Sequence, residues 1–376
     1  MAHALPPPDA SERERSARVV DALRAAADPS GFLPFDRFME IALYADDIGF
    51  YHRTRPPLGP SGDFYTAAHV HPLFGQTLAA RLREIRRAVG GSHPFRIVEL
   101  GPGDGTLAAS VVTELRDEAP GLEYVLVERS PARAREAQER VRRAAPGIPV
   151  RVAESVGALG PLAGAVIANE FLDAQPARRL RWDGTSWHEL GVRVEGAGMA
   201  AAEVPLARAV PGTPLPVPSE AGGVFEVSPA AEGFVREVGD HLVAGAAIVL
   251  DYGCEESELL RGHPRGTLAA VRGHRFVADP LDAPGTADLS TFVNFTRIRG
   301  VARASCLEEI AFRSQAEALG AWGFPSRLDA AIRTAGSAEA EVRLRLAAKN
   351  LLFGFDRFRV LELAPPKTAA VRASAT

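Results

Sequence analysis

Short apolar runs alternate with helix-spaced segments through the middle of this chain. Residues 95–100 (Phe-Arg-Ile-Val-Glu-Leu) are mostly apolar, lie between turn residues and predict a buried strand. The same reasoning predicts strands at 123–128, 149–152, 164–169 and 246–251 and helices at 131–144 and 228–243. Because strands and helices alternate, we predict an α/β fold with a Rossmann-like, doubly wound and mostly parallel sheet covered on both faces.

The flanking segments depart from this alternation. Helical spacing at 11–27, 35–46 and about 72–89 predicts an N-terminal helical segment over 1–90. The core, 91–254, contains an expected hairpin insertion at about 178–220, because polar and apolar residues alternate around Asp183-Gly184. We expect a mostly helical insertion at 255–345, with one helix over Leu307–Leu319. The remainder, 346–376, would carry the last core strand, Phe355–Leu363, and a tail.

Composition narrows the class of protein. Of the 376 residues, 46% are hydrophobic and 24% charged, as in a globular protein, and the net charge of −4 gives no basic excess for nucleic acid. No run approaches the roughly 18 apolar residues of a membrane span, and the N-terminus lacks a signal peptide's apolar core. We therefore expect a cytoplasmic protein without a nucleic-acid partner or membrane insertion. His69-x-His71 has no suitably spaced third ligand, so we expect no metal site.

The most informative motif is Glu99-Leu100-Gly101-Pro102-Gly103-Asp104-Gly105-Thr106, between a predicted strand and a predicted helix. Glycines at 101, 103 and 105 let the backbone turn tightly and approach a ligand. Their spacing differs from the Gly-x-Gly-x-x-Gly of a dinucleotide site and favours S-adenosylmethionine (SAM), which has no pyrophosphate. Glu128, ending the next strand, can accept hydrogen bonds from both ribose hydroxyls. A structural turn at the glycines and a solvated Glu128 carboxylate are the alternatives.

A second cluster, Asn169 to Pro176, follows the strand at 164–169 and contains two acids, Glu170 and Asp173. These carboxylates could clamp a guanidinium bidentately, or could cap a helix N-terminus. Gly62–Thr66 has the chemistry of a loop and helix cap. Asp251-Tyr252-Gly253 either lines the pocket or closes a strand.

At these motifs the chain resembles the MidA-like family of SAM-dependent methyltransferases, which includes a mitochondrial complex I assembly factor that dimethylates an arginine. The resemblance extends from about Phe38 to Leu361. It rests on motifs in the family's order, namely Gly49-Phe50-Tyr51, Gly62–Thr66, Phe74-Gly75, Glu99–Leu107, Val127–Pro131, Ala168–Pro176, Glu226–Pro229, Asp251–Gly253, Gly266–Leu268, Pro284-Gly285 and Asp288.

The resemblance implies that the Gly62–Thr66 loop folds over the cofactor. The residues predicted to bind SAM are therefore Asp63, Thr66, Glu99, Gly101, Gly103, Gly105, Glu128 and Asn169. Glu170 and Asp173 are the predicted catalytic residues, which would orient a guanidinium and accept its proton.

The chain differs from the family's usual residues at several positions. Asp104 stands for Arg or Lys, His69 for Glu, Phe292 for His and Asn294 for Asp. We predict SAM-dependent methylation of a protein arginine, with a respiratory-complex subunit as one candidate substrate. The alternatives are a small-molecule N- or O-methyltransferase, a SAM-binding assembly factor without turnover, and an NAD-binding oxidoreductase.

Overall fold

The computed structural model describes residues 7–53, 66–90, 94–196, 198–210, 212, 214–218 and 220–366. The helices in this part are α1 (Ala10–Ala26), α2 (Phe35–Tyr44), α3 (Ala67–Val70), α4 (Leu73–Val89), α5 (Thr106–Leu115), α6 (Pro131–Ala144), α7 (Pro229–His241), α8 (Glu256–Gly262), α9 (Phe295–Ala304), α10 (Gln315–Ala321), α11 (Phe324–Arg333) and α12 (Ala338–Phe353). Short 3₁₀ turns occur at Phe50–His52, Arg116–Glu118 and Gly157–Leu159.

The strands in the same residues include several that match the predicted core strands closely. They are β1 (Phe32–Pro34), β2 (Phe95–Leu100), β3 (Leu122–Val127), β4 (Val150–Ala153), β5 (Leu162–Asn169), β6 (Arg178–Trp182), β7 (Trp187–Glu195), β8 (Gly198–Pro205), β9 (Val224–Val227), β10 (Leu242–Cys254), β11 (Ala269–Arg272), β12 (Arg275–Phe276), β13 (Asp288–Ser290), β14 (Val293–Asn294), β15 (Glu308–Ser314) and β16 (Phe358–Ala364).

The chain divides into two compact units, each discontinuous in sequence. The first unit contains the described residues of Met1–Phe64, Asp173–Gly233 and Cys254–Ile298. The second contains those of Tyr65–Leu172, Phe234–Gly253 and Arg299–Thr376. Each unit therefore draws on several of the segments predicted from the sequence.

The second unit is built on a sheet with the strand order β15-β16-β10-β5-β2-β3-β4. The five strands from β10 to β4 are parallel, and β16 is antiparallel to both β10 and β15. Alternate residues of β5 show that both faces are covered: Ala165 and Ile167 join the main core, whereas Val166 and Ala168 line a small apolar cavity with α7. The predicted α/β sheet is confirmed, and burial on both faces explains its nearly continuous apolar strands.

The first unit contains a separate sheet of order β1-β7-β6-β9, with β8 paired to β7. The predicted hairpin is present, because Trp182 pairs with Trp187 across a turn in which Asp183 accepts the backbone N–H groups of Thr185 and Ser186, each at 2.7 Å. Buried residues of α1 and α2, such as Leu23, pack in this unit's core.

The prediction of a helix over Leu307–Leu319 is wrong. Glu308–Ser314 forms β15 and pairs with β16, and only Gln315–Ala321 is helical. The Ala- and Glu-rich composition favours a helix, but pairing with a buried strand overrides that propensity. Ser314 and Glu317 form a capping box at the start of α10, and this motif was the sequence signal for where the helix begins. The segment 255–345 also carries strands β11 to β15, beside its helices.

Candidate functional site

The predicted cofactor residues of the second unit meet at one edge of its sheet. Strand β2 lies between β3 and β5, and its last residue, Leu100, is level with Val127 and Ala168. The carboxyl ends of parallel strands are where α/β sheets bind ligands. The residues that follow these three strand positions are Gly101, Glu128 and Asn169.

The glycine loop after β2 has backbone angles that favour glycine. Gly101, Gly103 and Gly105 have φ of +59°, +57° and +80°. A Cβ on Gly101 would lie 2.7 Å from Cδ2 of Phe171, whose ring packs edge-on against Phe234. The first glycine is therefore needed for packing as well as for turning.

Glu99 points into the protein interior. It is 3% exposed, and the Tyr124 hydroxyl donates a 2.6 Å hydrogen bond to its carboxylate. Burial raises the pKa of Glu99 to about 7, although the bond from Tyr124 acts in the opposite direction. A direct contact between Glu99 and a cofactor stays a prediction.

Glu128 is half-buried at the end of β3, and its carboxylate accepts the backbone N–H of Ser130 at 2.8 Å. This bond fixes the side chain locally at the N-terminus of α6. A carboxylate at this position suits a diol such as ribose, and its contact with the ribose of SAM stays a prediction.

Asn169 ends β5, and Glu170 begins a strained turn directly after it. Glu170 has a φ of +50°, which is uncommon for a residue with a side chain. Its Oε1 accepts the backbone N–H of Ala67 at 3.0 Å and faces Nδ2 of Asn169 at 3.4 Å. Oδ1 of Asn169 is buried and has no hydrogen-bond partner among the described residues. This oxygen is an acceptor available to a ligand's N–H group.

Asp251 supports that turn from the neighbouring strand β10. The carboxylate is fully buried, and Oδ2 accepts the backbone N–H groups of Phe171 at 3.1 Å and Leu172 at 2.8 Å. Oδ1 accepts the N–H of Tyr252 at 3.0 Å. Of the two interpretations from sequence, these bonds favour a structural one: Asp251 holds the Glu170 turn in place.

Asp104 joins three elements around the glycine loop. Its carboxylate accepts the backbone N–H and the hydroxyl of Thr106 at 3.0 and 2.9 Å. Nη2 of Arg140 lies 3.1 Å from Oδ2, and Nε2 of His69 lies 3.5 Å from Oδ1. Burial alone would raise the pKa of Asp104, but the bonds from His69 and Thr106 outweigh it and lower the pKa to about 2. The two residues that differ from the family pattern, His69 and Asp104, thus face each other.

The other predicted site residues are Thr66, Asp63 and Asp173. Thr66 precedes α3 and is hydrogen-bonded through its hydroxyl to Nδ1 of His69 at 2.7 Å. Asp63, with the rest of the predicted covering loop before Thr66, lies outside the described residues. Asp173 belongs to the first unit, where it is 6% exposed.

Asp173 is near an acid–tyrosine pair within that first unit. The Tyr51 hydroxyl donates a 2.7 Å hydrogen bond to Asp288. Burial raises the pKa of Asp288 to about 7, with Asp173 acting in the same direction and Tyr51 and Arg53 opposing. Burial in the first unit therefore favours the protonated form of Asp288 more than that of an ordinary carboxyl.

The strand-end residues fit SAM, the predicted cofactor. The glycine loop adopts backbone angles that favour glycine, Glu128 can accept from ribose hydroxyls, and Asn169 Oδ1 can accept from an α-amino group. Sequence reasoning missed Arg140 and the ring of Phe171 as supports of the loop. The acid inside the glycine loop, Asp104, was the sequence signal for Arg140, because a partly buried carboxylate needs a cationic partner on a neighbouring helix.

Known proteins similar to this chain include protein arginine methyltransferases. The Drosophila melanogaster protein arginine methyltransferase NDUFAF7 homolog, mitochondrial, is 29% identical over 327 residues, covering 78% of this chain and 72% of that protein. The Mus musculus protein arginine methyltransferase NDUFAF7, mitochondrial, is 28% identical over 353 residues, covering 87% of this chain and 77% of that protein.

The expected cytoplasmic location is wrong by this comparison, since these relatives are mitochondrial proteins. The expectation rested on a missing signal-peptide core, but mitochondrial targeting uses amphipathic, Arg-rich segments that need no apolar core. No described helix has the length and apolar character required to cross a bilayer. The described residues also contain no group of three His, Cys, Asp or Glu side chains placed to hold a metal ion.

A solved structure and a family model agree with the relatives. The chain superposes with a TM-score of 0.85 on a COG1565 superfamily member from Burkholderia thailandensis bound to S-adenosyl-homocysteine, which is 30% identical, with 96% of this chain and 95% of that chain covered. Residues 75–311 match the family model of S-adenosyl-L-methionine-dependent methyltransferases. The fold, the strand-end loops and these matches agree: the chain belongs to this family of SAM-dependent methyltransferases.

Proposed function

We propose that this enzyme transfers the methyl group of SAM to the guanidinium of an arginine in a protein. The relatives' activity supports the proposal. The observation that carries it is the Glu170 carboxylate, held in a fixed orientation after β5 by the backbone N–H of Ala67. A fixed carboxylate recognises a planar guanidinium through paired, charge-assisted hydrogen bonds.

The backbone at Glu170 supports a functional role. A φ of +50° in a residue with a Cβ is unfavourable, and such strain of about 1–3 kcal/mol is concentrated at functional sites. The Glu170 N–H donates to the Leu250 carbonyl at 2.8 Å, and Asp251 holds the next two residues. Several independent bonds therefore maintain a conformation that the residue alone would not adopt.

The chemistry requires alignment and a proton acceptor. When bound, SAM supplies an electrophilic methyl group on a sulfonium, which leaves as S-adenosylhomocysteine. A guanidinium has a pKa above about 12, so the attacking nitrogen must lose a proton as its bond to carbon forms. We assign Glu170 to orient the guanidinium and accept this proton, with Asp173 as a second proposed carboxylate. Holding both reactants in line can contribute about 7–11 kcal/mol.

We also propose a role for each cofactor residue. Glu128 would bind the ribose hydroxyls, and Asn169 would accept from the α-amino group of the methionine half. The glycine backbone would contact the same half, with Glu99 beneath it. The other proposed SAM-binding residues are Asp63, Thr66, Gly101, Gly103 and Gly105.

Labelling tests the acceptor. The purified enzyme is incubated with methyl-labelled SAM and host lysate, and proteins are separated from metabolites. Label on a protein band that yields methylarginine after hydrolysis supports the proposal, and a respiratory-complex subunit is the first band to identify. Label in the metabolite fraction indicates a small-molecule acceptor, and no label in either fraction indicates binding without turnover; both outcomes contradict it.

Glu170→Gln tests the assigned residue. The amide keeps the side chain's shape but cannot accept the proton, so turnover should fall by about 100-fold or more while SAM affinity changes little. Glu128→Gln is the matched control and should instead weaken SAM binding. Unchanged turnover in Glu170→Gln would remove Glu170 from the mechanism.

A further inference from the structure

The short helix α3 contacts both turns that follow the central strands of the second unit. Its first residue, Ala67, donates its N–H to Glu170 in the turn after β5, at 3.0 Å. Its third residue, His69, faces Asp104 in the glycine loop after β2, at 3.5 Å. Because β2 and β5 are neighbours in the sheet, one helix is tied to two adjacent strand ends.

Asp104 places a negative charge inside a loop that is proposed to bind an amino-acid ligand. Left unpaired, this charge would repel the ligand's carboxylate. The structure directs it to His69 on α3, to Thr106 at the start of α5, and to Arg140 on α6. The Asp104 side chain is 18% exposed and that of His69 is 9% exposed, so water screens their interaction only weakly.

The orientation of the His69 ring follows from its neighbours. Nε2 of His69 is buried and makes no hydrogen bond within the described residues, but it faces the Asp104 carboxylate at 3.5 Å, and this approach is favourable when Nε2 carries its hydrogen. Nδ1 then meets the Thr66 hydroxyl at 2.7 Å. Thr66 thus fixes the ring, and the ring presents a donor to the glycine loop.

We propose that His69 and Asp104 form a positioning pair that fixes the glycine loop against α3 in its SAM-binding conformation. His69 acts through Asp104 and contributes no atom to the methyl transfer. The same helix holds the Glu170 carboxylate, so α3 sets the distance between the cofactor loop and the acceptor turn. This inference rests on the proposed binding of SAM by the loop.

Titration calorimetry with SAM on the full chain of 376 residues tests the pair. His69→Ala should weaken SAM binding about tenfold, equivalent to about 1.4 kcal/mol. His69→Gln keeps an N–H donor and should lose less than His69→Ala. The matched control is His188→Ala, since Nε2 of His188 also faces a carboxylate, Asp183, at 2.8 Å but in the β6–β7 hairpin of the first unit. This control should bind SAM like the wild type.

Variants with charged residues at positions 69 and 104 distinguish a positioning role of the pair from a general effect on protein stability. His69→Glu places two carboxylates together and should weaken SAM binding more than His69→Ala. Adding Asp104→Arg places opposite charges at the two positions, and the double variant should bind SAM more tightly than either single variant. Hydrogen exchange of residues 99–110 should rise in His69→Ala and return toward the wild-type rate in His69→Gln.

The outcomes distinguish this inference from the proposed function. If the wild type binds SAM and His69→Ala binds it equally well, the positioning pair is refuted while the cofactor assignment stands. If the wild type does not bind SAM, both fail. Should His69→Ala not fold, the comparison of His69→Glu with the double variant decides: no recovery of affinity overturns the pair.

Discussion

Gly105→Ala asks whether the third glycine of the loop is required by helix packing. Gly105 precedes α5 with φ +80° and ψ 14°. A Cβ at this position would lie 2.8 Å from Cα of Ala137 and 3.0 Å from its Cβ and its carbonyl oxygen. Backbone atoms cannot rotate away as a flexible side chain can, so α6 itself would have to shift.

Gly323→Ala is a closely matched control in the same unit. Gly323 precedes α11 with φ +86° and ψ 23°, and a Cβ there would have no atom within 4 Å. Both substitutions put an alanine in the left-handed region, at about 1–2 kcal/mol each. Only Gly105→Ala adds overpacking of about 1–3 kcal/mol. We therefore expect losses of about 2–5 kcal/mol for Gly105→Ala and about 1–2 kcal/mol for Gly323→Ala.

Equilibrium urea unfolding measures the two losses, and calorimetric titration with SAM measures their consequence. Because α6 carries Arg140, which contacts Asp104, a displaced α6 should also disturb the glycine loop. Gly105→Ala should bind SAM more weakly, whereas Gly323→Ala should match the wild type. Equal losses of unfolding free energy in the two variants would refute the packing argument.

Three further predictions concern buried charges. Because burial raises the pKa of Glu99 from 4.5 to about 7, the folded protein keeps a proton that the unfolded chain releases, and wild-type stability should fall as pH rises through this window. Glu99→Gln should reduce that fall by up to about 3 kcal/mol. If urea unfolding at several pH values gives the same dependence of unfolding free energy on pH as in the wild type, this prediction is contradicted. Asp251→Asn should lower the free energy of unfolding by about 2–4 kcal/mol in the same assay, because the new NH₂ group faces a backbone N–H that a carboxylate oxygen accepts in the wild type. A urea midpoint equal to that of the wild type would exclude the turn-holding role. Arg81→Met should lower the free energy of unfolding by about 3–5 kcal/mol, because Glu362 stays buried without Arg81, its partner at 2.8 Å. Adding Glu362→Leu should recover part of this loss. No recovery in the double variant would show that the loss is one of packing.

The contact between His69 and Asp104 changes how the chain's unusual residues are interpreted. In the sequence they are 35 positions apart and count as two separate departures from the family pattern. In the structure they face each other in one contact at 3.5 Å. They therefore count as one departure and not as two independent ones, and an effect of Phe292 and Asn294 on the choice of acceptor stays a prediction.

The sequence by itself determined the central sheet, the glycine loop and the cofactor class. These follow from local rules: apolar runs of strand length, glycines where φ is positive, and acids after strands. Strand β2 was predicted at its observed bounds, because both its core-facing residues and its turn residues are explicit in the sequence.

Only the tertiary structure decided which side chains face each other and which local propensities are overridden. Glu308–Ser314 is a strand because β16 offers it a partner, and no local rule contains that partner. Asp251 holds the turn at Phe171 and Leu172 across 79 or 80 residues, and His69 meets Asp104 through the packing of α3. Contacts distant in sequence depend on how strands are ordered in the sheet, and a single sequence read by local pattern does not specify that order.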